Sequence, residues 1–404
     1  MDDPYGRIAA PVPPLGTNQS GMRARNERLI LTLVRQQGEM AKSDLARLTG
    51  LSAQTVSVIM RALETDGLLL RGEPVRGRIG QPSIPMRLNP DGAFFLGLKL
   101  GRRSADLVLL DFLGQVRAAE RLTYSWPTVA GVLDFVGQGH RRLVQSMSPG
   151  DRARVQGLGV AMPYRMWDWV GQIGAPEAAM QEWRAAGDLR ARTEALTGLP
   201  VTVQNDATSA CGAELIFGTG ERPRNFLYFY FGTFIGGGLV IGGQLFQGTT
   251  GNAGSVGSMP IPLARGGMGS LIGAASLQTL ADRMAAAGES ADHIWQQAAE
   301  WQVSAPVLDA WAARAAEGLA WATLSATALL ELDAVLIDGW MPAGVRADMV
   351  ARVRRALCAM DGAGLVLPQV REGTIGPEAR ALGAAAVPLS QRYLVEGDLS
   401  AGTP

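Results

Sequence analysis

Residues 43–63 read Ser-Asp-Leu-Ala-Arg-Leu-Thr-Gly-Leu-Ser-Ala-Gln-Thr-Val-Ser-Val-Ile-Met-Arg-Ala-Leu. A short helix over 43–48 is stopped by Thr49-Gly50, with glycine in the helix-ending role. Ser52 offers a hydroxyl to cap the next helix. In that helix Val56, Ile59, Met60 and Leu63 recur at the i, i+3, i+4, i+7 spacing of one buried face. Two short helices about a tight glycine turn are a helix-turn-helix signature. The polar side of the second helix carries Gln54, Thr55, Ser57 and Arg61. Short polar side chains there reach base edges in a major groove, and arginine suits guanine or phosphate.

Working outward, 25–37 places Leu29, Ile30, Leu33 and Val34 on one helical stripe that ends at Gly38. Downstream, 68–70 and 86–88 read as two strands around a loop, a wing. The loop holds Arg76 and Arg78 beside Gly77 and Gly80, then Gln81-Pro82. Arginine flanked by glycine can enter a narrow minor groove, because no bulky neighbour blocks it. Residues 21–90 are therefore expected to form a winged helix-turn-helix. Its expected contacts to double-stranded DNA are Gln54, Thr55, Ser57, Arg61, Arg76, Arg78 and Gln81. The plainer alternative is a solvated helix face and an ordinary hairpin, but helix lengths, turn, wing and charge agree with one another.

Charge supports this division. Residues 1–90 hold 12 Lys and Arg against 8 Asp and Glu, a net +4, which leaves 25 against 29 in the rest of a chain with zero net charge. A basic head on an acidic body suggests that only the head meets nucleic acid. At 404 residues, 47% apolar and 18% charged, the chain is globular and too long for one core. Cys211 and Cys358 are far apart in apolar helical patterns and read as small buried residues, without a disulfide framework, which fits a reducing cytosol. The Pro/Gly-rich stretch 1–20 lacks the basic and apolar regions of a signal peptide. Residues 225–264 carry no charge but are cut repeatedly by glycine. They read as buried strands and turns, not a membrane span, so a cytoplasmic protein is expected.

After residue 92 the pattern turns to strands: 94–100, 105–111 and 115–117 as a meander, then 155–161 and 201–204. Helical stretches lie at 129–147 and 176–197. A second α/β group follows, with a strand at 225–231, a glycine-rich turn at 232–238 and a return strand at 239–241. Such a turn can aim amides at an anion, although a glycine hairpin is more often only a tight turn. Residues 270–330 read as mostly helical, with Trp295, Trp301, Trp311 and Trp321 as core or interface anchors. A strand at 334–337 and a closing helix over 380–394 complete the chain.

The helix-turn-helix, Gly-Leu-Lys-Leu-Gly (97–101), Gln-Asn-Asp-Ala (204–207), the 232–238 loop and Gly-Asn-Ala-Gly (251–254) together resemble the ROK family of repressors and sugar kinases. The resemblance runs from about residue 16 to 394. It implies an α/β body with the two-lobed actin-like, hexokinase-like (ribonuclease H-like) ATPase fold behind the head. The expected units are a tail (1–20), the head (21–90), a first lobe (91–205), a second lobe (206–390, or with its last helix returned to the first lobe) and a tail (391–404).

By that resemblance Asp206 matches the catalytic base of the kinases and Asn205 a sugar-hydroxyl ligand; a helix-capping role for either is as good a reading. The kinases' first phosphate loop, Asp-x-Gly-Gly-Thr, falls on Lys99, Leu100, Gly101, Arg102 and Arg103, which damages Mg·ATP placement. Their Ala-Gly-Glu-x-Gly-His motif falls on 253–258, where Ser255 and Ser258 replace the Glu and the His. No Cys or His occurs in 262–275, where the family's zinc motif would follow, so neither metal nor cofactor is expected. The resulting expectation is a DNA-binding transcriptional regulator, a repressor by preference and not an enzyme, forming a homodimer or homotetramer. Its sugar-type effector would meet Asn205, Asp206, Gly232, Thr233, Gly236, Gly237, Ser255 and Ser258. The second reading is a hexose kinase acting through Asp206.

Overall fold

The computed structural model describes residues 19–74, 84–169, 174–185, 188–263 and 266–395. The head comprises helices α1 (Gln19–Gln37), α2 (Lys42–Thr49) and α3 (Ala53–Thr65), followed by the antiparallel pair β1 (Leu69–Arg71) and β2 (Met86–Leu88). Gly50 ends α2 at φ 68°, the left-handed conformation that glycine adopts without a Cβ penalty. The Ser52 hydroxyl then accepts from the Thr55 amide at 3.1 Å and starts α3.

The first lobe is a five-stranded sheet in the order β5-β4-β3-β6-β7. Its strands are β3 (Phe94–Leu100), β4 (Ser104–Leu110), β5 (Val116–Thr123), β6 (Val155–Met162) and β7 (Val201–Asn205). The β3–β4–β5 meander is antiparallel, whereas β6 and β7 add in parallel. Helices α4 (Val129–Gln145), α5 (Pro149–Arg152), α6 (Glu177–Ala185) and α7 (Leu189–Thr197) accompany it. The single helical stretch expected over 176–197 is thus two helices, the second capped by Asp188 accepting from the Ala191 amide.

β7 runs directly into α8 (Asp206–Phe217), and the second lobe repeats the first lobe's strand order as β10-β9-β8-β13-β14. These strands are β8 (Phe226–Phe231), β9 (Gly236–Ile241), β10 (Gln244–Phe246), β13 (Ala334–Gly339) and β14 (Gln369–Glu372), with a separate hairpin β11 (Pro260–Pro262) and β12 (Met268–Ser270). Its helices are α9 (Ile272–Ala275), α10 (Leu277–Ala286), α11 (Asp292–Gln296), α12 (Ala305–Leu330) and α13 (Ala343–Cys358); α14 (Ala379–Tyr393) closes the chain. Gly236, Gly237 and Gly238 belong to β9, not to the turn expected at 232–238, because they pair with Tyr230, Phe229 and Tyr228. Cys211 is buried as expected, but Cys358 is exposed at the end of α13. Trp311 is fully buried, whereas Trp321 is 36% exposed.

Side-chain alternation on the strands fixes the layers. Phe94, Leu96, Leu98 and Leu100 join a core with Val132, Val136 and Leu189. The opposite face of β3 meets α14. On β8, Leu227, Phe229 and Phe231 pack with residues of α10 and α12, while Tyr228 and Tyr230 pack with Ala210 and Cys211 of α8. Thus α14 lies on the first sheet, α8 on the second, and the two helices lie against each other. The helices touch so closely that a Cβ on Gly383 would stand 1.8 Å from the Ser209 carbonyl oxygen, and α14 lies so close to β6 that one on Gly159 would stand 1.8 Å from the Ala384 carbonyl oxygen. No side chain fits at either crossing.

The head is joined to this body through a shared core. Ile30, Leu31, Leu33 and Val34 of α1 cluster with Phe95, Leu110 and Phe112 of the first lobe and with Ala381, Ala385 and Leu389 of α14. Arg35 donates to the carbonyls of Phe112 and Leu113 and stacks 5.2 Å from the Phe112 ring. The Val395 amide donates to the Thr32 hydroxyl at 3.0 Å. Among the described residues no helix is long and apolar enough to cross a membrane.

Candidate functional site

The candidate DNA-reading face lies on α3. Its inner face, Val56, Ile59, Met60 and Leu63, is buried. Gln54 and Arg61 are exposed, and Ser57 is half-buried beside them. Thr55 is partly engaged, because its hydroxyl lies 2.8 Å from that of the capping Ser52. Val58 sits on the same outer face at 54% exposure, one helical turn after Gln54. An apolar side chain there can meet a thymine methyl, a contact that a search for polar groups in the sequence does not mark. Arg71 of β1 pairs with Glu64 of α3, Nε to Oε1 at 2.6 Å, and ties the hairpin to the helix. The wing residues Arg76, Arg78 and Gln81 lie outside the described residues.

The second site is a cleft of about 490 Å³ between the lobes. Asn205, Asp206, Gly236, Gly237, Ser255 and Ser258 all line it, together with Tyr164 and Asn252. Gly232 and Thr233 do not. Their carbonyls instead accept the Leu277 and Gln278 amides at the start of α10, at 3.2 and 3.0 Å. Asn205 caps α8, its side-chain oxygen accepting from the Ala207 and Thr208 amides at 3.0 Å each. That leaves its NH2 group as what it can offer a ligand. Hydroxyls, amides and the carboxylates of Asp168 and Asp206 are the donors and acceptors that a polyhydroxylated molecule needs.

Asp206 is buried and already has partners. Its Oδ1 accepts the Ala207 amide at 3.0 Å and its Oδ2 accepts Nη1 of Arg380 at 3.2 Å. Arg380, from α14, also lies 4.9 Å over the Tyr230 ring, whose phenol burial pushes up to about 12. Lys99, aligned with the lost acidic residue of the phosphate loop, does not line the cleft. Its ammonium donates to the Ser104 hydroxyl at 2.7 Å and to Asp106 at 2.9 Å. Burial, with repulsion from Arg380, brings it down to about 8 despite Asp106.

Among the described residues, three arginines of the first lobe reach aromatic rings of the second in cation–π contacts. Arg102 lies 4.4 Å over Phe234, Arg103 lies 4.9 Å over Trp295, and Arg121 lies 4.6 Å over Trp340. Each arginine comes from the first lobe and each ring from the second. Burial lowers the Arg102 guanidinium to about 10, so it stays charged at neutral pH.

The ROK family model matches residues 95–389, and a winged helix-turn-helix DNA-binding model matches residues 23–69. The chain belongs to the ROK family. A ROK family transcriptional regulator, described as a homolog of the E. coli MLC protein, shares its fold at a TM-score of 0.65 with 20% identity, covering 94% of this chain and 98% of that one. A ROK family glucokinase from Streptomyces griseus, solved with glucose and AMPPNP, matches at a TM-score of 0.56 with 21% identity, covering 72% of this chain and 98% of that one. By sequence, the chain is 22% identical over 248 residues to the xylose repressor of Bacillus subtilis (strain 168), which spans 60% of this chain and 62% of that repressor. The ROK fold therefore carries both regulators and kinases, and what separates them must be sought in the side chains of the site.

Proposed function

We propose that this ROK protein is a cytoplasmic, sequence-specific DNA-binding repressor, working as a homodimer or homotetramer. Its body binds a sugar or sugar derivative in the interlobe cleft and does not phosphorylate it. One observation carries the second half of this reading: Asp206, the candidate base in the aligned position, is ion-paired with Arg380. The arginines that replace the phosphate loop are meanwhile stacked on aromatic rings of the other lobe. A nucleotide would have to displace those stacks and bring its metal beside Arg102 and Arg380, which line the cleft.

The first half rests on the exposed outer face of α3 and on the family's xylose repressors. The head shares a core with the first lobe, so a ligand that changes the lobe angle changes the relative setting of two heads. The test is recovery of sheared genomic DNA by the purified protein at physiological salt, with and without monosaccharides and their phosphates. Enrichment of a palindromic site, relieved by one sugar, is the expected result. Binding no tighter to any sequence than to bulk DNA would defeat the proposal.

The presence of Asp206 in the cleft keeps one second reading, a hexose kinase with an accessory head. Sugar-dependent ADP release that disappears in Asp206→Ala would establish it instead.

A further inference from the structure

A separate cavity of about 160 Å³ lies where the head, α8, α14 and the β9–β10 turn meet, and it shares no lining residue with the cleft. It has room for on the order of ten water-sized groups. Three of its walls belong to parts that must move together if the body is to signal to the head. Arg35 and Gln36 come from α1, Leu215 and Ile216 from α8, and Gln244 and Leu245 from β10 of the second lobe; Ser390 of α14 and Leu394 just after it complete the wall.

The chemistry of the lining is one-sided. Arg35 and Arg222 both face the cavity, and among the described residues no Asp or Glu lines it. The terminal nitrogens of Arg35 donate to the carbonyls of Phe112 and Leu113, while its buried Nε has no partner among the described residues. Asp111, an acid whose charge acts on Arg35, is engaged elsewhere: it accepts from the Leu113 and Gln115 amides and from Arg117. A buried N–H donor without an acceptor, beside two cations and no anion, marks a place short of negative charge. Leu215, Leu245 and Leu394 give the same cavity an apolar side.

We propose that this junction cavity is a second ligand site, distinct from the sugar cleft, that takes a small organic anion: a carboxylate or phosphate monoester on a compact apolar body. The anion meets Arg35 and Arg222, and the body lies against the three leucines. A molecule seated there touches head, hinge helices and second lobe at once, so its affinity depends on their arrangement, and by reciprocity its presence biases that arrangement.

Calorimetric titration of the full chain with benzoate, phenyl phosphate and neutral benzamide tests this. At least one anion is expected to bind saturably, with benzamide at least about tenfold weaker. Binding should weaken about tenfold in Arg222→Ala, an exposed side chain whose loss spares the fold, and vanish in Ser390→Trp, which fills the cavity. It should survive Ser258→Trp in the sugar cleft. Benzoate alone binding would mark a carboxylate site, and phenyl phosphate alone a phosphate site. The proposal is overturned if neither anion binds, if binding ignores both Arg222→Ala and Ser390→Trp, or if only Ser258→Trp removes it.

Discussion

Nη1 of Arg380 stands 3.2 Å from Oδ2 of Asp206, joining the last helix of the chain to the first turn of α8. Each side chain is only 13% exposed, so each charge depends on the other. Removing one partner of a buried pair strands the second and typically costs ~3–5 kcal/mol, while neutralising both costs much less. Arg380→Met should therefore lower unfolding stability by ~3 kcal/mol, and Asp206→Asn combined with Arg380→Met should regain most of it. Urea unfolding of the two singles and the double gives the coupling directly; strict additivity would mean the pair is not coupled.

The interlobe stacks make a mechanical prediction. An exposed or half-buried cation–π contact is worth about 0.5–1 kcal/mol, so Arg103→Ala or Arg121→Ala alone should do little. The two together remove two of the three bridges. In small-angle scattering the double variant should show a larger radius of gyration than its parent, without loss of helix content. An unchanged radius would assign the lobe angle to α8 and α14 alone.

Lys99 supplies a pH test. Its folded value of about 8 lies below the ordinary 10.5, so the unfolded chain holds this proton more tightly. The cost of burying the charge is fully present below about pH 8 and disappears as pH rises toward 10.5. Lys99→Met carries no such proton, and Asp106 keeps Arg121 at 3.4 Å. The stability of the parent relative to Lys99→Met should thus rise by ~2 kcal/mol between pH 7 and pH 10. A flat difference would show that the ammonium is not buried.

On the head, Arg61→Ala should weaken DNA binding across all sequences and reduce the salt slope by about one if the lost contact is to phosphate. Gln54→Ala should flatten base preference at one position of a selected site. Val58→Ser should cost about 1 kcal/mol at a thymine and nothing at cytosine. Fluorescence anisotropy on matched duplexes separates the three effects. A uniform response to all three substitutions would remove base reading from this face.

Much of the architecture is legible in the chain because it is written in periodicity. The 3.6-residue stripe of 56–63 and the apolar runs at 94–100 and 226–231 need no partner to be seen. The helix at 343–358 buries Met349, Val350, Val353 and Leu357, a readable stripe in a stretch where no helix was expected. The edge strand Gln369–Glu372 buries only Val370 and offers almost no pattern. The cleft is half legible: Asn205, Asp206, Ser255 and Ser258 are marked by motif. Arg380 is not, since a partner 174 residues away leaves no spacing to read. The three arginine–aromatic bridges are hidden for the same reason. Arg102 and Arg103 stand out in the sequence as losses from a phosphate loop, and only the fold shows that they hold aromatic rings of the other lobe.

The absence of a linker between α1 and the first lobe bears on how far apart two operator halves can stand. Adding one base pair between half-sites turns one of them by about 34° around the duplex axis, given roughly 10.5 base pairs per turn. A head on a flexible tether would swivel to follow. Here Ile30, Leu31, Leu33 and Val34 are sunk in the same core as Phe95, Leu110 and Leu389, so a swivel would have to tear apolar surface out of that core. Two such chains acting together should behave as a fixed gauge: tolerant of substitutions that each cost one contact, and intolerant of a single inserted or deleted base pair between otherwise perfect half-sites.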